Sequence, residues 1–320
     1  MRPWAVAIGL LAACGAMLGA ALVGMRAQVN ADSASGALVL AERASQAQVK
    51  VSRPEPARDS PAVAASAPKS AELPPKQVSF RQTATYNGAA VYVPDDCAGP
   101  YDVLLHFHGA APYVKDEVQS ANLDAVVAVF NAGNGAEKYA QAFQATGTLS
   151  SLLRQVELAV APLCTGEGAR PRRIALSGFS AGFAAVERLL QHEEDRQRVD
   201  AALLVDGLHA GFVDPRRRQM APNALQAFRQ FGELAKQGNK LLAVTHSSIM
   251  TDGYASTTEC SRFLLEALGV PCDGELVSGK AGQFSIEGFT GNDKAAHIAQ
   301  FRQMDSTLLT KLRARWADSP

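Results

Sequence analysis

The sequence has no excess of charge of either sign. Its 320 residues include 31 lysines and arginines and 31 aspartates and glutamates, so the formal net charge at pH 7 is zero. A protein that binds nucleic acid presents a broad basic field to the phosphates, and this composition supplies none. No internal repeat of the kind that builds solenoids or propellers is visible either. We therefore expect no nucleic-acid partner and no repeat architecture.

Aromatic residues are missing from residues 27–76, which are rich in Ala, Ser, Gln and Pro and show no sustained periodicity. Such a segment cannot bury enough apolar surface to fold alone, and it is predicted to be a disordered linker. Residues 1–26 before it contain an apolar run, 4–25, behind the basic start Met1-Arg2. About 20 apolar residues suffice to cross a bilayer as a helix, so residues 1–26 are predicted to be a signal or membrane anchor.

Three interpretations of this N-terminal segment remain open. An uncleaved anchor is favoured, because the apolar core of a signal peptide is normally only about 7 to 15 residues long. Cys14, in Leu11-Ala12-Ala13-Cys14, resembles a lipidated cysteine of bacterial lipoproteins, and cleavage after Met25 is the third alternative. All three predict an exported protein of the bacterial periplasm or cell envelope, with the membrane as a partner of the N-terminal segment.

Cysteines are few. Apart from Cys14 there are four, an even number in a chain that is expected to enter an oxidising compartment. Cys97 and Cys164 each precede a predicted strand, and if those strands are neighbours the two thiols lie at the same end of the sheet. Cys260 and Cys272 flank a short predicted helix. The preferred pairings are Cys97 with Cys164 and Cys260 with Cys272.

Residues 77–320 are long enough for one large core, and they alternate between short β-rich runs and longer helical patterns. This alternation predicts an α/β domain with a doubly wound, mostly parallel sheet of eight strands, opened by a hairpin at Asn87-Gly88. The predicted strands are 78–86, 90–93, 103–107, 125–130, 173–176, 201–205, 241–245 and 284–289. The predicted helices are 140–158, 182–194, 223–237, 257–268 and 295–316.

The pentapeptide Gly178-Phe179-Ser180-Ala181-Gly182 joins the fifth predicted strand to a helix. A tight turn at that point strains the serine backbone and lifts its hydroxyl clear of the sheet, which only small neighbours permit. The start of the helix directs free N–H groups towards an oxygen that becomes negative when the serine attacks a carbonyl. The motif predicts a nucleophile and an oxyanion site together.

Two further features accompany this motif: His106-Phe107-His108-Gly109 at the end of the third predicted strand, and a histidine after the last strand. In the motif and in these features, the chain resembles the α/β-hydrolase superfamily, in particular its serine esterases. The resemblance covers nearly all of residues 77–320. It implies an oxyanion hole formed by the backbone N–H groups of Ala181 and Ala110, and it implies no cofactor. Supporting residues would be His108, Gly109, Gly178 and Gly182.

Ser180 needs a histidine to remove its proton and an acid to hold that histidine. His297, after the last strand and at the start of the terminal helix, is the best-placed base. In most members of the superfamily that the chain resembles, the acid follows the seventh strand. This chain has no acidic residue there before Asp252, so Asp206 at the end of the sixth strand is favoured. Asp252 and Asp293 remain alternatives, the latter as a more natural helix cap.

These residues predict a serine hydrolase that cleaves a carboxylic ester, or less favourably an amide, through an acyl-enzyme. The substrate, a small-molecule or polymeric ester, cannot be read from them. Loops after the strands are expected to set specificity, at 110–122, 131–139, 209–222 and 247–256, with Tyr113, Phe212 and Tyr254 as candidates for lining a pocket.

Two other classes of function compete with this prediction. A metallohydrolase could use His106, His108, Asp206, His209 and His246, although their spacing matches no known metal-site signature and leaves the serine motif unexplained. A non-catalytic envelope protein could keep the fold and only bind ligands. The complete set of Ser180, Asp206 and His297 argues against it.

Overall fold

The computed structural model describes residues 77–318. The predicted anchor, residues 1–26, and the predicted linker, residues 27–76, lie outside this range. Within residues 77–318, no helix combines the length and the apolar character that a membrane crossing requires.

Nine strands form one main sheet. They are β1 (Phe80–Ala84), β2 (Ala90–Pro94), β3 (Tyr101–Phe107), β4 (Val126–Phe130), β5 (Pro171–Phe179), β6 (Ala201–Val205), β9 (Leu241–His246), β10 (Gly279–Ala281) and β11 (Phe284–Gly288). Their spatial order is β1-β2-β4-β3-β5-β6-β9-β11-β10, and every pairing from β4 through to β11 is parallel. Antiparallel strands close both edges. β7 (Phe212–Asp214) and β8 (Gln219–Met220) form a small separate hairpin.

Helices cover both faces of this sheet. They are α1 (Ala111–Ser120), α2 (Ala136–Phe143), α3 (Thr148–Val160), α4 (Phe183–Gln191), α5 (Glu193–Arg198), α6 (Gln226–Lys236), α7 (Thr257–Ala267), α8 (Lys294–Phe301) and α9 (Thr310–Asp318). Successive residues of β3 point to opposite faces, so Leu105 joins one apolar core and Leu104 the other. Because both faces are buried, the central strands are mostly apolar. The predicted doubly wound, mostly parallel α/β fold is confirmed, but the main sheet has nine strands rather than the predicted eight, because the short edge strand β10 was not predicted.

Several predicted boundaries are wrong. The segment 110–122, predicted to be a loop, is mostly α1, and it buries Val114 and Val118 against the sheet. The predicted helix 140–158 is two helices, separated at Gly147, whose φ of 80° is left-handed. The predicted helix 182–194 also divides, because His192 is extended with ψ at 123°. The terminal helix, predicted as 295–316, is interrupted after Phe301.

One predicted disulfide is confirmed and the other is wrong. Cys97 and Cys164 are bonded, with an S–S distance of 2.09 Å. The segments before β3 and β5 do lie at the same end of the sheet, because these strands pair in parallel. Cys260 and Cys272 are both free, the first buried and the second exposed. Cys260 lies in the first turn of α7 and Cys272 beyond its far end. The two thiols therefore lie in different environments, one within the core and one at the surface.

Candidate active site

Ser180 lies on a strained turn at the centre of the sheet. It directly follows β5, which lies between β3 and β6, and its φ of 48° is left-handed. Residues Ser180–Gly182 form one turn of 3-10 helix that leads into α4. A Cβ on Gly182 would lie 1.9 Å from the carbonyl oxygen of Phe107, and one on Gly178 would lie 2.8 Å from the Gly182 carbonyl. Only glycine fits at either position, so the turn keeps α4 in close contact with β3.

Asp206 emerges beside Ser180 at the same edge of the sheet. Phe179 on β5 is paired with Val205 on β6, and the serine and the aspartate are the next residue on each strand. Gly207 touches the serine backbone directly, since a Cβ there would lie 2.4 Å from the Ser180 carbonyl oxygen. The strand register therefore places the backbones of the two predicted site residues side by side.

Asp206 is buried, with only 2% of its surface exposed, and its carboxylate accepts four hydrogen bonds. The Nδ1–H of His297 donates to Oδ2 at 2.7 Å. Ser247 donates from its backbone N–H and from its hydroxyl, both at 2.8 Å, and the Thr257 hydroxyl donates at 3.2 Å. Burial opposes ionisation, but the hydrogen bonds from His297 and Ser247 outweigh it and hold the pKa of Asp206 below its usual value.

His297 is oriented by this bond and by ring stacking. It lies near the start of α8, where Asp293 caps the helix by accepting a hydrogen bond from the Ala296 N–H. Its ring stacks on Phe179 with centroids 4.6 Å apart. Because Nδ1 carries the proton that is hydrogen-bonded to Asp206, Nε2 keeps a lone pair and can accept a proton.

The other two acid candidates are not brought to His297. Asp293 serves as the helix cap, and Asp252 is exposed in the loop after β9. Within residues 77–318 the Ser180 hydroxyl has no hydrogen-bond partner, the His297 ring included. In active sites without substrate this bond is often long and tightens only in the reacting complex.

The turn after β3 provides the second half of a possible oxyanion site. His108 and Gly109 both have positive φ, 70° and 137°, and Ala110 follows them as the N-cap of α1. The Ala110 N–H donates no hydrogen bond within residues 77–318. Ala181 lies in the first turn of the elbow helix, where N–H groups have no intrahelical acceptor.

Asn131 holds this turn in place and was missed by the sequence analysis. Its side chain accepts a hydrogen bond from the Gly109 N–H at 3.0 Å and donates one to the Gly109 carbonyl oxygen at 2.9 Å. The available signal was its position, an amide directly after β4 at the edge of the sheet where the other site residues lie.

His106 and His108 support the same turn. His106 is fully buried; the Ser177 hydroxyl lies 3.0 Å from its Nδ1, and its Nε2–H donates to the His108 carbonyl oxygen at 2.9 Å. Burial lowers the pKa of His106 to about 4, so its ring is neutral. His108 Nδ1 lies 2.9 Å from the Tyr139 hydroxyl. The two rings thus fix the backbone beside Ser180.

The side chains that were possible metal ligands on the basis of the sequence do not form a metal site. Within residues 77–318 no group of three or more His, Cys, Asp or Glu side chains is placed to hold a metal ion. The rings point to other partners: His246 lies between the carbonyl oxygens of Ser247 and Val277, and His209 Nδ1 lies 3.1 Å from that of Ala255.

A doubly wound sheet with a serine on a strained strand-to-helix turn, at the carboxyl end of a central strand, is the α/β-hydrolase fold. The chain is similar, at low identity, to several solved structures. The protein TT1662 from Thermus thermophilus is 17% identical, with 76% of this chain and 95% of that one covered and a TM-score of 0.40. An esterase from Pyrococcus furiosus is 10% identical, with coverages of 75% and 90% and a TM-score of 0.39.

An acylaminoacyl peptidase from Pyrococcus horikoshii is 15% identical over 72% of this chain and 40% of that one, with a TM-score of 0.39. No family model and no curated protein matches the chain. Similarities at this level carry no argument about activity, which has to come from the site itself.

Proposed function

We propose that this protein is a serine hydrolase that cleaves carboxylic esters through an acyl-enzyme. The observation that carries the proposal is the 2.7 Å hydrogen bond from His297 to the buried Asp206, on the strand next to the strained Ser180. A histidine held this way has its proton on the nitrogen facing the acid and a free lone pair on the other, which is the form a general base needs.

In the proposed reaction the Ser180 hydroxyl attacks the ester carbonyl while His297 Nε2 takes its proton. Asp206 stabilises the resulting imidazolium, and its ionised state is favoured by the hydrogen bonds it accepts. The N–H groups of Ala110 and Ala181 stabilise the tetrahedral oxyanion. His297 then protonates the leaving alcohol. In the second half of the reaction a water molecule attacks the acyl-enzyme while His297 takes its proton, and His297 returns that proton to the Ser180 oxygen as the carboxylic acid leaves.

We further propose that the enzyme works outside the cytoplasm, exported or tethered by its N-terminal segment. The apolar run at residues 4–25 supports this, as does the bond between Cys97 and Cys164, because disulfides persist mainly in oxidising compartments. Residues 27–76 would then act as a spacer between the membrane and the catalytic domain.

The test is labelling with a fluorophosphonate, which reacts with activated serines, followed by mass spectrometry of the modified peptide. We expect modification at Ser180 and loss of both labelling and ester hydrolysis in Ser180→Ala. The matched control is Ser151→Ala, which removes an exposed serine of α3 and should change neither. Absence of labelling in a folded sample would contradict the proposal and favour a non-catalytic binding protein.

A further inference from the structure

An open cleft of ≈ 690 Å³ is lined by residues that closely follow Ser180 and Asp206 in the chain, and it has no part in the mechanism above. Its walls come from α2, α4, α6 and the segment after β6. On α4 it is lined by Phe183, Ala184, Glu187, Arg188 and Gln191, which share one face of the helix. The nine residues of α4 span about 14 Å, and the helix begins three residues after Ser180. The cleft therefore extends away from the reactive serine along the helix that the serine introduces.

His209 connects the cleft to the site. It lines the cleft three residues after Asp206, and its ring lies edge-on to Phe183 and Tyr254, with centroid distances of 5.4 and 5.1 Å. Its Nδ1–H donates to the Ala255 carbonyl oxygen, so Nε2 is left as an acceptor. Burial lowers the pKa of His209, and the ring is neutral near pH 7. At its near end the cleft thus offers aromatic edges and one hydrogen-bond acceptor.

The rest of the lining is rich in carboxamides and small residues. Each carboxamide supplies both donors and an acceptor, and alanines provide a shallow apolar floor between them. The carboxamides are Gln191, Asn223, Gln226 and Gln230.

One polar atom in the wall lacks a partner. The Nε atom of Arg188 is buried without an acceptor, whereas its Nη1 donates a hydrogen bond to Gln191 Oε1 at 3.0 Å. Glu187 lies next to Arg188 on the same face of α4. Burial raises the pKa of Glu187. Buried polar groups without partners are costly, so a ligand that supplies hydrogen bonds here would be favoured.

This lining selects among ligand chemistries. A hydrocarbon chain would leave the Nε atom of Arg188 unpaired and would offer the carboxamides no hydrogen bonds. An extended peptide that binds by strand addition needs a sheet edge, and this cleft is walled by helices and a loop, whose backbone offers no such edge. Hydroxyl groups both donate and accept, and they match carboxamides at every position.

We propose that the cleft binds a polyhydroxylated chain, an oligosaccharide or polysaccharide, whose ester-linked acyl group is presented to Ser180. The proposal rests on the proposed esterase function, for which it names the substrate class. The acyl group would lie at the oxyanion turn, and the sugar units would extend along α4 towards Gln191.

Binding is measured on the full chain carrying Ser180→Ala, so that turnover plays no part. Isothermal titration with xylohexaose, cellohexaose and maltohexaose should detect binding of at least one. In the same background Gln226→Ala with Gln230→Ala should weaken that affinity about tenfold or more, because two neutral hydrogen bonds are lost. Alanine is favourable in helices, so the double variant should fold, and circular dichroism checks this. Gln197→Ala on α5, outside the cleft, is the matched control and should bind normally.

The proposal is overturned if none of the three saccharides binds. It is also overturned if binding survives the double substitution, or if a hexaalanine peptide binds instead and loses affinity in the double variant. Hydrolysis of para-nitrophenyl acetate by the unsubstituted chain is measured in parallel. Turnover without saccharide binding refutes the cleft assignment alone, whereas saccharide binding without turnover or fluorophosphonate labelling refutes the esterase alone.

Discussion

Among the proposed catalytic residues, Asp206 makes the most hydrogen bonds through its side chain. It accepts hydrogen bonds from His297, from Ser247 twice and from Thr257. Its position could be predicted from the sequence because it directly follows a strand. Ser247 and Thr257 could not, because they approach from β9 and α7, 41 and 51 residues away in the chain.

Asp206→Asn should lower kcat by about 10⁴-fold, because the amide no longer selects the required tautomer of His297 or stabilises its charged form. Asp252→Asn and Asp293→Asn serve as matched controls, and we expect each to keep kcat within a few-fold of normal. Steady-state hydrolysis of para-nitrophenyl acetate measures all three. Full activity in Asp206→Asn, or a large loss in either control, would reassign the acid.

Asn131 gives a second prediction at this scale. Without its two hydrogen bonds to Gly109 the oxyanion turn should loosen, so Asn131→Ala should lower kcat about tenfold or more while KM changes little. Asn134→Ala, an exposed amide in the same loop, is the control and should behave as the unsubstituted chain does. A rise in KM with unchanged kcat would show that Asn131 contacts the substrate rather than positioning the turn.

At the scale of elements, strands were easier to predict than helices. Strands buried on both faces, such as β4 and β6, are continuously apolar, which is a strong sequence signal. The helix α1 was missed because Pro112 and a polar outer face resemble a loop, although Val114 and Val118 lie at helical spacing. The break at Gly147 had a local signal, a glycine within a helical pattern, whereas the break at His192 had no such glycine or proline.

The disulfide joins the segments before β3 and β5, and its removal is expected to lower stability. Cys97 and Cys164 are separated by 67 residues in the chain. A cross-link that closes a loop of that length lowers the entropy of the unfolded chain and raises its free energy by about 4 kcal/mol. Replacing both with serine should lower the free energy of unfolding by roughly that amount, measured by urea denaturation. Cys272→Ser, which removes an exposed free thiol, should leave stability unchanged. A loss no larger than in this control would show that the bond contributes little.

Across the whole molecule, buried histidines should make stability depend on pH. The pKa of His106 is about 4 in the folded protein against 6.5 as its ordinary value, so between these pH values only the unfolded chain binds the proton. Stability should be complete above pH 6.5 and fall as the pH drops towards 4, by about 3 kcal/mol from His106 alone. The lowered pKa values of His108 and His209 act in the same direction.

Urea denaturation of the unsubstituted chain and of His106→Asn at several pH values between 7 and 4 measures this effect. The variant is expected to be less stable at pH 7, since it loses a buried ring, but its stability should fall less steeply with acid. Parallel curves for the two proteins would mean that His106 does not carry the dependence.

The covalent bond and the proposed chemistry occupy opposite ends of the same two strands. Cys97 and Cys164 precede β3 and β5, whereas Ala110 and Ser180 follow them. Substitutions at the first end should change how much folded protein a cell accumulates, and those at the second end how fast each folded molecule works. Protein yield and turnover number could therefore be improved separately, by changes made along a single pair of strands.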